Sequence, residues 1–229
     1  MSLAAFLLAD GRFPAGGHAH SGGVEAAVRD GRVHDVASLD GFVRGRLATA
    51  GRTDAALAVA TWARLDPLDG ADPRMVVVVV DAEADARLAP PSLRVASRRL
   101  GTQLLRAARV CWDDDLLVVV SEAVPAGLHQ ACALGAVGRV AGLDAPEVAR
   151  LALHHCASVP AQAGVRLLGL DPFAVAALLA GVTTDAEVSV RDAVASARAP
   201  LAELPACTGP VVDVAAVEHT SWDDRLFVT

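Results

Sequence analysis

The residues with the most chemical potential lie together near the start of the chain, in Asp10-Gly-Arg-Phe-Pro14-Ala-Gly16-Gly17-His18-Ala-His20-Ser21-Gly22-Gly23-Val24-Glu25. Glycines and a proline interleaved with imidazoles, a hydroxyl and a carboxylate mark a backbone shaped for close contact. One chemistry is nucleophilic. Ala19-His20-Ser21-Gly22-Gly23 is one residue away from the G-x-S-x-G elbow that would make Ser21 the nucleophile of a serine hydrolase. That elbow needs a strand before it and a helix after it, and few residues precede Ser21. His154, His155 or His219 would complete a triad by chain order, with no spacing that favours one of them. A glycine-rich turn leading into a helix from Ser21, with Glu25 in the first turn, is the simpler reading.

A second chemistry is metal binding. His18 and His20 form an H-x-H, and His154-His155-Cys156 adds further nitrogen and sulfur donors suited to Ni²⁺, Zn²⁺ or Cu²⁺. Adjacent helical positions point about 100° apart, so His154 and His155 do not chelate one ion together. On an extended loop His18 and His20 fall on one side, enough for a transient metal contact but not for a full coordination shell. No resident metal or cofactor is therefore expected. Asp113-Asp114-Asp115 reads as a solvated turn without the D-x-D-x-D-G spacing of a calcium loop. Ser97-Arg98-Arg99 reads as the wet face of a helix.

The elements that must position these residues are helical. The chain has 229 residues, is 53% hydrophobic and only 3% aromatic, which implies a core of small aliphatic side chains on closely packed helices. Val36, Leu39, Phe42, Val43 and Leu47 recur at helical spacing. Thr53 and Ser92 are candidate N-caps of two following helices, and Asp144-Ala-Pro146-Glu147 carries a capping-box pattern. Asp171-Pro172 starts a helix that Gly181 ends, and Asp185–Ala197 forms another. The β-branched runs Val76–Val80 and Leu116–Val120 favour strands by propensity, but the chain shows no regular strand–helix alternation, so both are read as buried helix segments. The expected fold is all-α: a bundle-like array of about eight to ten helices in a single domain over residues 1–199. Pro200, Pro205 and Pro210 then break the pattern, and residues 200–229 form a tail holding Trp222, Arg225, Leu226 and Phe227, suited to docking a partner.

Charge removes several functions. The formal net charge is −7 with no basic stripe, which opposes nucleic-acid and anionic-membrane roles. All 20 cationic residues are arginine; without lysine there is no Walker-A loop and no Schiff-base chemistry. Cys111, Cys132, Cys156 and Cys207 are scattered and read as buried thiols in a reducing cytoplasm. Neither a signal peptide nor a run long enough to cross a bilayer is present in the sequence.

The opening stretch resembles the signature of the urease accessory protein UreF family, P-x-G-(G/A)-x-x-(H/Y)-S-x-G-L-E, with Pro14, Gly16, Gly17, His20, Ser21, Gly23 and Glu25 in matching positions. His18 replaces the usual aromatic and Val24 the usual leucine. Ser97-Arg98-Arg99-Leu100-Gly101 with Leu104-Leu105 is similar to the family's S-x-R-x-G-x-x-L-L, and His129 with Gly135 to its H-x-x-x-x-x-G. Val165-Arg166-Leu167 with Gly169 is similar to A-x-R-L-x-P-L-G, lacking its proline. Glu218-His219 and Arg225-Leu226-Phe227 resemble the terminal H-E-x-x-x-x-R-L-F-x-S, with the acid displaced and Thr229 for serine. The resemblance implies an all-helical, non-catalytic, dimeric cytoplasmic scaffold. It would link the GTPase UreG and UreD (also called UreH) while nickel enters apo-urease, and modulate the GTP cycle. Pro14, Gly16, Gly17, His20, Ser21, Gly23, Glu25, Arg225, Leu226 and Phe227 would then be contact residues. Nickel would be handled by the complex rather than held as a cofactor. A metallochaperone that stores nickel through His18 and His20 is a further alternative.

Overall fold

Glycine and alanine set how closely the helices of this protein approach. The computed structural model describes residues 2–228, and Thr229 of the terminal motif lies outside them. Twelve α-helices are formed among the described residues, and no strand. They are α1 (Leu3–Ala9), α2 (Val24–Arg29), α3 (Val36–Arg46), α4 (Arg52–Arg64), α5 (Pro73–Arg87), α6 (Pro91–Cys111), α7 (Asp115–Ala123), α8 (Gln130–Val140), α9 (Ala145–Leu168), α10 (Pro172–Gly181), α11 (Thr183–Ala195) and α12 (Pro210–His219). The all-α fold is as expected. The count exceeds eight to ten because short α1 and α2 flank the glycine-rich turn and α12 forms within the supposed tail.

The core is built on α4, α8 and α9. Every residue of α8 from Ala131 to Gly138 is buried, so this helix is enclosed on all sides. Contact that close depends on glycine: a Cβ on Gly135 would stand 2.3 Å from the Ala58 carbonyl oxygen of α4. One on Gly101 of α6 would stand 2.0 Å from the Leu128 oxygen that precedes α8. Aspartates start many of the helices. Asp35, Asp72, Asp114, Asp144 and Asp171 each accept from a backbone N–H of the first turn, and Asp144 with Glu147 closes the predicted capping box.

Four local expectations change. Thr53 is not an N-cap, because α3 and α4 form one rod joined by a π turn at Leu47–Gly51. Its buried hydroxyl instead exchanges hydrogen bonds with the backbone of Cys207. Ser92 lies inside α6, whose first turn is started by Pro91, and donates to the Ala216 oxygen of α12. The two valine-rich runs are helical but only half-buried: Val77, Val80, Leu117 and Val120 face inward, whereas Val78 and Val79 are exposed. Cys132 and Cys156 are buried, but Cys207 is half-buried and Cys111 exposed; all four are free thiols.

Arg98 departs from the wet face assigned to it. Its guanidinium reaches Asp81 Oδ2 at 2.8 Å, Asp85 Oδ1 at 2.8 Å and the Gly127 oxygen at 2.6 Å. Asp81 also accepts from the backbone N–H of His129, and Asp85 from its Nε2–H. This node ties α5 to α6 and to the start of α8. Arg99 stays exposed, as predicted. No single helix among the described residues is long and apolar enough to cross a membrane.

Candidate functional site

The glycine-rich stretch folds as a loop, a 3₁₀ turn over Gly17–Ala19, and then α2. Gly23 occupies the position before α2 with φ of +86°, a left-handed conformation that glycine adopts without steric cost. A Cβ there would also meet Val212 of α12 at 2.9 Å, so a side chain is opposed by both strain and space. Ser21 is fully buried, and its Oγ accepts from the N–H groups of Gly23 and Glu25. The hydroxyl thus satisfies donors at the exposed start of the helix. The strand–turn–helix elbow required for a serine nucleophile is not formed, because a 3₁₀ turn precedes Ser21.

Glu25 is the centre of the site. One oxygen accepts from the Leu226 N–H at 2.7 Å; the other accepts from His219 Nε2–H at 2.7 Å and from the Phe227 N–H at 3.3 Å. Both Glu25 and His219 are buried. A carboxylate taken from water is retained where charge-assisted donors replace its solvation. Around this clasp Arg29 stacks on Trp222 at 4.0 Å, Arg166 stacks on Phe227 at 4.5 Å, and the Val228 N–H donates to the Ala19 oxygen at 2.9 Å. Arg166 also donates to the His18 oxygen. The segment beyond residue 200 is attached elsewhere too, since Arg87 donates to the carbonyls of Leu201, Leu204 and Pro205.

The site residues therefore divide. Ser21, Glu25 and Phe227 are buried and hold the stretch and the tail together. Ser21 and Glu25 point inward to accept backbone N–H groups, and Phe227 packs into the apolar core beneath Arg166. Gly16, Gly17, His20 and Gly23 are half-buried, while Pro14, His18, Arg225 and Leu226 are exposed, Leu226 at 71%. Gly16 packs on Leu100 and Gln103 of α6, whose outer face carries exposed Arg99, Arg106 and Arg109. None of these three pairs with a carboxylate among the described residues.

The metal readings are altered by geometry. His18 sits within the 3₁₀ turn rather than on an extended loop, so the one-sided H-x-H pattern is absent. Burial, with Arg99 and His18 nearby, holds the His20 imidazole below its ordinary pKa and hence neutral at pH 7. His154 and His155 point their Nε2–H groups at the Ala9 and Leu8 oxygens, closing the end of α1. Among the described residues no three His, Cys, Asp or Glu side chains converge as a metal set.

Comparison with known proteins decides the family. The family model described as UreF matches residues 33–183. A protein named urease accessory protein UreF from Mycolicibacterium vanbaalenii is 37% identical over 229 residues, covering 100% of this chain and 99% of its own. Another of that name from Mycobacterium tuberculosis is 36% identical over 230 residues, covering 100% and 99% respectively. The chain belongs to the UreF family. The stretch that the UreF model matches runs from the residues before α3 into the start of α11. The clasp around Glu25 lies outside it, within the full-length similarity to the UreF proteins.

Sequence reading missed Arg166, Asp81 and Asp85 as partners, and missed that Glu25 and His219 touch. Glu25, Arg166 and His219 each fell in a separate family motif, and Asp81 and Asp85 in none. Nothing in local spacing joins residues 194 positions apart.

Proposed function

We propose that this protein is a non-catalytic urease-maturation scaffold, acting in the cytoplasm as a homodimer. It links a UreG-type GTPase to a UreD/UreH-type protein while nickel enters apo-urease, and modulates the GTP cycle. The observation that carries this reading is the similarity over the whole chain to proteins named urease accessory protein UreF. The burial of Ser21 and its use in capping α2 support a scaffold over a hydrolase. In this reading Pro14, His18, Arg225, Leu226 and the arginine face of α6 make the partner contact, presented by the inward-facing Glu25 clasp. Helix residues Arg99, Arg106 and Arg109 suit an acidic protein surface.

The test is urease activation in cells that lack this gene. Nickel-loaded, active urease should fail to accumulate and should return on complementation. Normal activation in the deletion strain would refute the reading. Co-purification of the chain with the GTPase and the UreD-type protein is the accompanying biochemical measurement.

A further inference from the structure

A cavity of about 210 Å³ opens between α3, α4, α6, α9 and α12. At about 30 Å³ per water it has room for roughly seven waters, and so for a molecule the size of glycine or alanine. Its charged lining comes from four elements: Arg46 at the end of α3, Asp54 in α4, Arg87 at the end of α5 and Asp213 in α12, with the Arg87 guanidinium already taken by Glu83 and by the carbonyls of Leu201, Leu204 and Pro205. Arg46 Nε is buried, and no group among the described residues accepts its hydrogen. Arg46 forms no ion pair with either aspartate, yet its charge opposes the upward pKa shift that burial imposes on both. The three groups therefore face one space without touching.

A buried donor without an acceptor carries its full desolvation penalty, so a molecule that supplies an oxygen there relieves it. An anion alone would meet two carboxylates. A cation alone would meet the guanidinium. A molecule with both charges answers each group with its opposite. We propose that this cavity binds a small zwitterion of the amino-acid type, its carboxylate on Nε of Arg46 and its ammonium between Asp54 and Asp213. Because Asp213 shares α12 with His219, the bound molecule braces that helix, and through it the clasp on Glu25, against the body of the protein.

The test is calorimetric titration of the full chain in phosphate buffer. Glycine and alanine are the probes, with acetate and methylammonium as single-charge controls at equal ionic strength. Saturable binding of glycine or alanine is expected, together with a concentration-dependent rise in Tm. Acetate and methylammonium should each bind at least tenfold more weakly. Arg46→Gln and Asp213→Asn should each weaken glycine binding at least tenfold while circular dichroism stays helical; Asp213→Asn serves if the first variant does not fold. Absence of saturable binding to the unsubstituted chain would overturn the proposal. So would equal binding of acetate, or unchanged affinity in the folded variants.

Discussion

Glu25 Oε2 and His219 Nε2 lie 2.7 Å apart, and this hydrogen bond joins the first turn of α2 to the last turn of α12. The same carboxylate takes two backbone N–H groups from the tail, so one side chain holds three donors that would otherwise be buried without acceptors. The tail is thereby folded onto its own domain through Phe227, while Arg225 and Leu226 stay in solvent.

Glu25→Ala should cost about 3 kcal/mol, because the charged acceptor is lost and its buried donors remain. In a chain of this size that lowers Tm by roughly 6–12 °C. The tail should also open locally, so that trypsin cleaves after Arg225 faster than in the unsubstituted protein. Mass spectrometry of the early digest would show it. An unchanged cleavage rate would mean that the clasp does not control the tail.

Gly101→Ala should be far more damaging than Gly41→Ala. The Cβ at Gly101 meets the Leu128 backbone oxygen at 2.0 Å, where nothing flexible can give way, whereas Gly41 in α3 has open space around it. The first change should cost more than about 3 kcal/mol as overpacking. The second should stabilise by up to about 1 kcal/mol through helix propensity. Paired urea unfolding curves give both values.

Asp54 gives a pH signature. Burial raises its pKa from 3.8 to about 6. The folded state therefore holds a proton that the unfolded chain has released, and stability falls as pH rises from about 4 through 6. Asp54→Asn should stabilise the protein by about 1–3 kcal/mol at pH 7, with no gain below pH 4. Denaturant midpoints at the two pH values measure the difference, and an equal gain at both would contradict it.

Charge reversal on the outer face of α6 tests the proposed docking surface. Arg99→Glu with Arg106→Glu should leave stability within about 1 kcal/mol, since both side chains are exposed. Capture of the GTPase and the UreD-type protein should drop at least tenfold in salt-controlled pull-downs. Undiminished capture of both partners would move the interface elsewhere.

Much of the fold was legible because helices are local objects. Asp144 with Glu147 and Asp171 with Pro172 each announce a helix start through side chains within one turn. The valine runs were resolved by the missing strand–helix alternation, although Val78 and Val79 turned outward because a helix buries only one face. Thr53 was misjudged because the π turn at Leu47–Gly51 runs α3 directly into α4, so no helix starts there. The site was less legible. Arg98 looks like a surface arginine until Asp81 and Asp85 arrive from α5. The inward direction of Glu25 depends on a histidine and a tail from the other end of the chain.

The π turn at Leu47–Gly51 has a consequence for insertions and deletions. It accommodates one residue beyond the α-helical repeat, so removing Ala50 would let α3 and α4 merge into a regular helix. Because the π turn absorbs that residue, its removal leaves α4 in the same rotational setting relative to α3, whereas removing Ala56 from the regular helix would rotate everything after the cut by about 100°. In that second case the Ala58 carbonyl would leave Gly135 and the Trp62 indole would leave the Leu143 oxygen. A one-residue deletion in the exposed connection at residues 68–71 has no such leverage. Comparing soluble yield and unfolding midpoint for the Ala50 and Ala56 deletions would show a rod whose length is adjustable at the π turn and fixed in the helix beyond it.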